Sequence, residues 1–184
     1  MDKLLDGWNT EPSYYTEQTG FKRYYNYLLS VQPPDMQYYS EFVQLDYVRR
    51  SIHVGNLSYS DENLKGKVEL YLQPDIYKSV KPWIEILLNA TESYDVLMYS
   101  GQLDIIVAYT LTDNFIRNLN WKGATEFAFA PRKIWRVGQQ IAGYSKTVGS
   151  FTQLFVRNAG HIVPYDQPVW SFDMISRLTS GKSF

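Results

Sequence analysis

The rhythm of apolar and polar positions changes along the chain, and each change marks an element. Residues 80–88 carry apolar side chains at helical spacing, with Pro82 tolerated in the first turn. Residues 94–99 form a short apolar run, partly β-branched or aromatic, closed by Ser100 and Gly101. Such a run suits a buried strand. Ile105, Ala108, Leu111, Phe115 and Leu119 then recur at spacings of three and four. That spacing predicts a helix with one apolar stripe, ending just before Gly123. Residues 133–137, 140–148 and 151–157 read as strands separated by Gly138 and Gly149, and Gly149-Ser150 reads as a tight hairpin turn. A last helix is predicted over 167–178. Asp166 would cap it, Pro168 would sit in its first turn and Gly181 would stop it. Val169, Phe172, Ile175 and Leu178 would then share one face.

The earlier residues are less regular. Gly7, Pro12, Gly20, Pro33 and Pro34 punctuate a Tyr-rich stretch of short helices and irregular connections. Helices are predicted at 38–53, after Pro33-Pro34-Asp35 and before Gly55, and at 61–72. The pairs Tyr14-Tyr15, Tyr24-Tyr25 and Tyr38-Tyr39 read as half-buried packing, with a peptide-lining role as the alternative. Composition shifts near residues 73–81, which divides the chain into 1–75 and 76–184. The second part runs helix, strand, helix, strands, helix, the order of an α/β fold. It predicts the tail of an α/β sheet, because only one strand–helix–strand crossover is visible and such sheets need partner strands and helices on both faces.

Composition removes several functional classes. The 184 residues hold 18 Lys and Arg against 19 Asp and Glu, a formal charge of -1. That balance argues against a nucleic-acid partner, which requires a basic footprint. No cysteine is present, so a disulfide framework, a thiolate metal site and a thiol nucleophile are all excluded. The two histidines, His53 and His161, are too few for a His-rich metal centre, and no cofactor motif appears. The apolar run 105–111 is far too short to span a membrane, and the first ten residues do not read as a signal peptide. Two glycosylation sequons nevertheless occur, Asn56-Leu57-Ser58 and Asn89-Ala90-Thr91, and they point towards the secretory route.

Asp104 follows the strand at 94–99, and His161 follows the strand at 151–157 after the turn Asn158-Ala159-Gly160. If those strands are parallel neighbours, both side chains emerge at the carboxyl ends of a sheet, where open α/β folds place their sites. A carboxylate there can hold one imidazole nitrogen and leave the other free as a general base towards a serine hydroxyl. The order acid then histidine fits the Ser…Asp…His order of α/β-hydrolases. Two plainer readings stay open: Asp104 as a helix cap and His161 as a polar loop residue. His53, at a predicted helix end, reads as a structural hydrogen-bonding residue, with a minor role near a cleft as the alternative.

Residues 96–104 (VLMYSGQLD) and 158–168 (NAGHIVPYDQP) resemble the acid and histidine motifs of serine carboxypeptidases. Supporting matches lie in residues 48–55, 79–83, 120–123 and 172–175, so the resemblance runs in order over essentially the whole chain. It implies an α/β-hydrolase fold with an inserted, mainly helical cap. Residues 1–75 would be the end of the cap, and 76–184 the last strands and helices of the core. It further implies a secreted or lysosomal glycoprotein that removes single residues from peptide C-termini without a cofactor. Asp104 would be the triad acid and His161 the base. Ile162, where many relatives have Met, would touch the leaving residue. Asn56 and Asn89 would be the glycan acceptors.

The departures are equally informative. The nucleophile of such enzymes sits in a G-x-S-x-G elbow. Here Ser145, in Gly143-Tyr144-Ser145-Lys146-Thr147, has the first glycine but not the second, and it lies in a strand-like run. Phe21 and Ser30 stand where relatives often carry a cysteine pair. The expectation is a serine carboxypeptidase of which these residues hold the acid and the histidine only. The nucleophile would come from an N-terminal half of the same fold. The alternative is a catalytically inactive fragment or pseudoenzyme that acts, if at all, by binding.

Overall fold

The computed structural model describes residues 12–57, 59 and 68–184. The chain divides into two compact units, one formed by Met1–Val31 with Lys81–Phe184 and the other by Gln32–Val80.

The larger unit is built on one four-stranded sheet in the order β1-β4-β3-β2. Its strands are β1 (Val96–Gly101), β2 (Lys133–Val137), β3 (Gln140–Val148) and β4 (Phe151–Val156). β2 and β3 fall where the apolar runs predict them and β4 ends one residue earlier, whereas β1 starts two residues later than predicted and runs on through Ser100 and Gly101. β1 and β4 are parallel, with Val96 opposite Phe151 and Gly101 opposite Val156. β2, β3 and β4 form an antiparallel meander. Gly149 turns the β3–β4 hairpin at φ 55°, a left-handed conformation that a side chain rarely adopts.

Side chains alternate across a strand, so the sheet sorts its residues into two cores. Phe151, with Val96 and Met98, belongs to one cluster with Leu88, Ile116, Leu119, Trp121 and Phe127. Leu154 and Val156, with Leu97, belong to the other, with Trp135, Val163, Trp170 and Met174. The first cluster is completed by helices Lys81–Asn89, Tyr109–Arg117 and Ala124–Phe129. The second is closed by Pro168–Thr179, to which the fully buried Trp135 is tied by an indole N–H donated to Asp173 at 2.8 Å. A mixed sheet with helices supplying both cores is the α/β arrangement.

Two helical expectations are corrected. The stretch 38–53 is not one helix. A 3₁₀ turn, Pro34–Gln37, leads into Tyr38–Phe42 and then Asp46–Ser51, and Leu45 between the two helices is extended at ψ 134°. The helix expected from Ile105 begins at Tyr109, because Asp104 captures the N–H groups of Ile106 and Val107 and bends the chain first. Ile105, Ile106 and Val107 are also β-branched, which disfavours a helical start. Its buried face carries Ile116, with Leu119 just beyond it, whereas Leu111 is exposed. In the last helix the direction of the stripe, which spacing alone does not give, is outward. Val169, Phe172 and Ile175 are exposed, and Trp170, Ser171 and Met174 face the core.

The smaller unit holds short helices with little interior. Besides the two named above it contains Glu69–Ile76, which carries Pro74; most of the helix predicted at 61–72 lies outside the described residues. Val48 is the unit's buried apolar residue among those described. His53 stands at a helix end, and its N–H donates to Arg50 O at 3.2 Å. It is exposed, at φ 57°, just past the end of Asp46–Ser51. The tyrosine pairs differ from one another: Tyr25 is buried, whereas Tyr14, Tyr38 and Tyr39 are exposed.

Candidate active site

Parallel pairing of β1 and β4 brings the two turns after them side by side. The ladder continues past the strands: Gln102 N–H donates to Val156 at 2.8 Å, and Leu103 N–H to Ala159 at 2.7 Å. The Gln102 side chain accepts from Asn158 N–H at 3.1 Å. Asp104 and His161 are thereby brought within reach at the carboxyl edge. His161 Nδ1 lies 3.0 Å from Asp104 Oδ2.

The two partners sit in different surroundings. The Asp104 side chain is 6% exposed and that of His161 is 41% exposed. The second carboxylate oxygen of Asp104 accepts from Ile106 N–H at 2.8 Å and Val107 N–H at 3.0 Å. One carboxylate therefore closes its own turn and still presents an oxygen to the imidazole. The cap reading and the dyad reading of Asp104 describe two ends of the same side chain. An ionised carboxylate only accepts, so a neutral His161 bonded to it carries its proton on Nδ1, and Nε2 is left with a free lone pair. A cleft of about 240 Å³ opens beside the pair, lined by Tyr99, Ser100, Thr112 and Val163 together with the dyad itself.

The histidine loop is held from outside. Asn158 takes φ 51°, and Gln167 Nε2 donates to its carbonyl at 3.0 Å. His161 N–H donates to Tyr25 O at 2.6 Å. A Cβ on Gly160 would stand 2.3 Å from Tyr25 O, so only glycine lets the two backbones approach this closely. Asp166 does not cap the last helix. Pro168 occupies the first position there, which makes Gln167 the cap residue, one place later than predicted. The Asp166 carboxylate instead accepts from Gly160 N–H at 2.6 Å and from Asn26 Nδ2 at 3.0 Å.

The remaining candidates are spread out. Ile162 adjoins His161 and is 43% exposed. Asn89 is exposed, and its amide bridges Asn120 O at 3.1 Å and Lys122 N–H at 2.8 Å. Asn56 lies in an exposed turn, and Ser58 of its sequon is outside the described residues. Ser145 is buried in the middle of β3 and does not stand in the strand-to-helix elbow of such a nucleophile. Sequence reading missed Asn26, Tyr25 and Gln102. No local pattern points to them, because each acts through a contact with a distant segment.

An acid and a histidine at adjacent parallel strand ends are compatible with part of an α/β-hydrolase fold, and comparison with known proteins identifies the class. Residues 8–181 match the family model for serine carboxypeptidase, and the chain belongs to that family. It is 48% identical to a venom serine carboxypeptidase of Apis mellifera over all of this chain and 39% of that protein. It is 44% identical to a probable serine carboxypeptidase, CPVL, of Homo sapiens over all of this chain and 38% of that protein. The chain thus spans under two fifths of the length of these relatives. Among solved structures, Kex1(delta)p, a prohormone-processing carboxypeptidase from Saccharomyces cerevisiae, superposes with a TM-score of 0.67 at 22% identity. The match covers 86% of this chain and 36% of that one, and it supports the α/β-hydrolase fold.

Proposed function

We propose that these residues are the acid–base half of a serine carboxypeptidase that removes single residues from peptide C-termini. The observation that carries the reading is the 3.0 Å contact between a buried Asp104 carboxylate and an exposed His161 imidazole. Asp104 holds Nδ1–H and stabilises the imidazolium. His161 Nε2 takes the proton from a serine hydroxyl as its oxygen bonds to the scissile carbonyl carbon. It then gives that proton to the departing amino nitrogen as the carbon–nitrogen bond breaks. A water, deprotonated by the same nitrogen, then bonds to the acyl carbon, and as the bond from that carbon to the serine oxygen breaks the proton passes from Nε2 to the serine oxygen. Ile162, next to His161, would touch the departing residue, and the route would be secretory or lysosomal, with Asn56 and Asn89 as glycan acceptors.

The serine is the part these 184 residues do not supply, since they hold no G-x-S-x-G elbow. The chain by itself is therefore inactive, and two results test this together. A fluorophosphonate probe should leave the chain unlabelled, and covalent labelling at any serine would overturn the assignment. Joining the chain to the preceding part of the Apis mellifera relative should give a labelled, active chimera. In it, His161→Ala should cost on the order of 10⁴-fold or more in kcat, as loss of a triad histidine does. Undiminished turnover in that variant would remove His161 from the mechanism.

A further inference from the structure

We propose that Asn26 and Asp166 are positioning residues, which set the distance between the histidine loop and the acid loop. The proposal rests on reading Asp104 and His161 as the acid–base pair. Its starting point is a single oxygen, Asp166 Oδ2, that accepts both Gly160 N–H at 2.6 Å and Asn26 Nδ2 at 3.0 Å. Asn26 is 5% exposed. Its own Oδ1 accepts Leu28 N–H at 3.0 Å, which fixes the amide with its nitrogen towards Asp166. A buried amide with both ends satisfied has one orientation, and leaving either end unpaired costs about 1–3 kcal/mol.

The backbone around Asn26 reaches both catalytic turns. Tyr25 O accepts His161 N–H at 2.6 Å, and Tyr27 N–H donates to Leu103 O at 3.1 Å. Residues 25–27 therefore form a strap with one rung on the histidine side and one on the acid side. Asp166 locks the strap from the far side of Gly160. Asp104 needs no such help, because it closes its own turn through Ile106 and Val107. Among the described residues the His161 side chain closes no turn of its own, so beyond the ladder bond from Leu103 N–H to Ala159 O its place relative to Asp104 is set by the strap and by Asp166. Neither Asn26 nor Asp166 is given a proton to move. They act through the backbone of residues 160 and 161, and a shift of about 1 Å there is enough to cost about 10²-fold in rate.

Two-bond ¹H–¹⁵N spectra of the full chain test this directly, because they report which imidazole nitrogen carries the proton. His53→Gln assigns the signals. His161 should sit in the Nδ1–H form and lose that preference in Asp104→Ala. A wild-type chain without the preference would refute the dyad, and the positioning argument with it. Given the preference, Asn26→Ala and Asp166→Ala should each shift His161 towards the Nε2–H form. Asp166→Asn should not, since one amide oxygen can still accept from both Gly160 and Asn26. Leu88→Ala, in the other core, serves as a control that loses stability and keeps the tautomer. In the chimera the two alanine variants should lose about 10–100-fold in kcat with KM little changed. If Asn26→Ala melts earlier but keeps the wild-type tautomer, the residue is merely structural and the proposal fails. If Asp166→Asn behaves like Asp166→Ala, charge rather than bond geometry is at work, and the proposal also fails.

Discussion

β1 and β4 run side by side and deliver the two halves of one dyad, yet they are held by different means. β4 is an interior strand with a neighbour on each side, and four of its six residues in a row are buried. Among the described residues β1 lies at the sheet edge, and it is buried only at Ser100 and Gly101. At the turns the contrast reverses. The turn after β1 closes on itself through Asp104, whereas the turn after β4 depends on Tyr25, Asn26 and Asp166. A rigid strand carries a borrowed loop, and a half-covered strand carries a self-sufficient one. Local closure can be specified by one side chain, whereas remote closure requires the rest of the unit to be folded first.

The sharpest way to break the comparison is to cut the cores at paired positions. Phe151 is fully buried, with ring contacts to Trp121 at 5.5 Å and Phe127 at 5.1 Å. Phe151→Ala should cost about 3–5 kcal/mol in urea unfolding. Val96→Ala, at its register partner on β1, should cost no more than about 2 kcal/mol, since it removes fewer and less buried carbons. Equal losses would erase the difference between interior and edge.

A smaller effect separates the two oxygens of Asp104. Asp104→Ala should cost about 1–3 kcal/mol, because Ile106 and Val107 lose their acceptor. Asp104→Asn should keep most of that stability, with its carbonyl oxygen on the turn. Its amide nitrogen would then face His161 Nδ1 as a donor and force the proton to Nε2, the wrong end for a base. Melting temperature with imidazole ¹⁵N shifts reads both effects. A wild-type tautomer in the asparagine variant would contradict the orientation assigned here.

The smallest expected effect lies where the two sides are joined. Asp113, on the helix after the acid turn, accepts from Gln153 of β4 at 3.3 Å and from Arg117 at 2.8 Å. Burial raises its pKa, but the hydrogen bonds from Gln153 and Arg117 and the guanidiniums of Arg117 and Arg132 outweigh burial and hold it below the usual carboxylate range. A depressed folded-state pKa contributes stability above the unfolded pKa, and that contribution is lost as pH falls through the folded value. Asp113→Asn should therefore cost under about 1 kcal/mol at pH 7, given its exposed partner. The gap to wild type should narrow below about pH 4. A gap that widens on acidification would reverse the sign.

The strands were legible because each buried run is short, apolar and bounded by glycine, which is information carried within a few residues. The dyad was legible for the same reason: Asp104 and His161 each follow such a run directly. The helices after Asp104 and Asp166 were misplaced by side chains that bind outside the expected cap geometry, one to its own turn and one to Gly160. The stripe of the last helix was legible, but not the side it presents, because helical spacing identifies a stripe and not its direction. Its inner face holds Trp170, Ser171 and Met174. Asn26 had no signal at all, since its partner lies 140 positions away in sequence.

Sheet order also implies a folding order. β2, β3 and β4 pair with their immediate successors, and such local contacts close quickly. β1 joins only across the whole stretch from Val96 to Phe151, a loop whose closure entropy must be met before the ladder repays it. The expected sequence is meander first and β1 last. In pulsed hydrogen exchange, β3 amides should then gain protection before those of β1. The acid and the histidine would meet only at the end, so no early folding species would carry an assembled dyad.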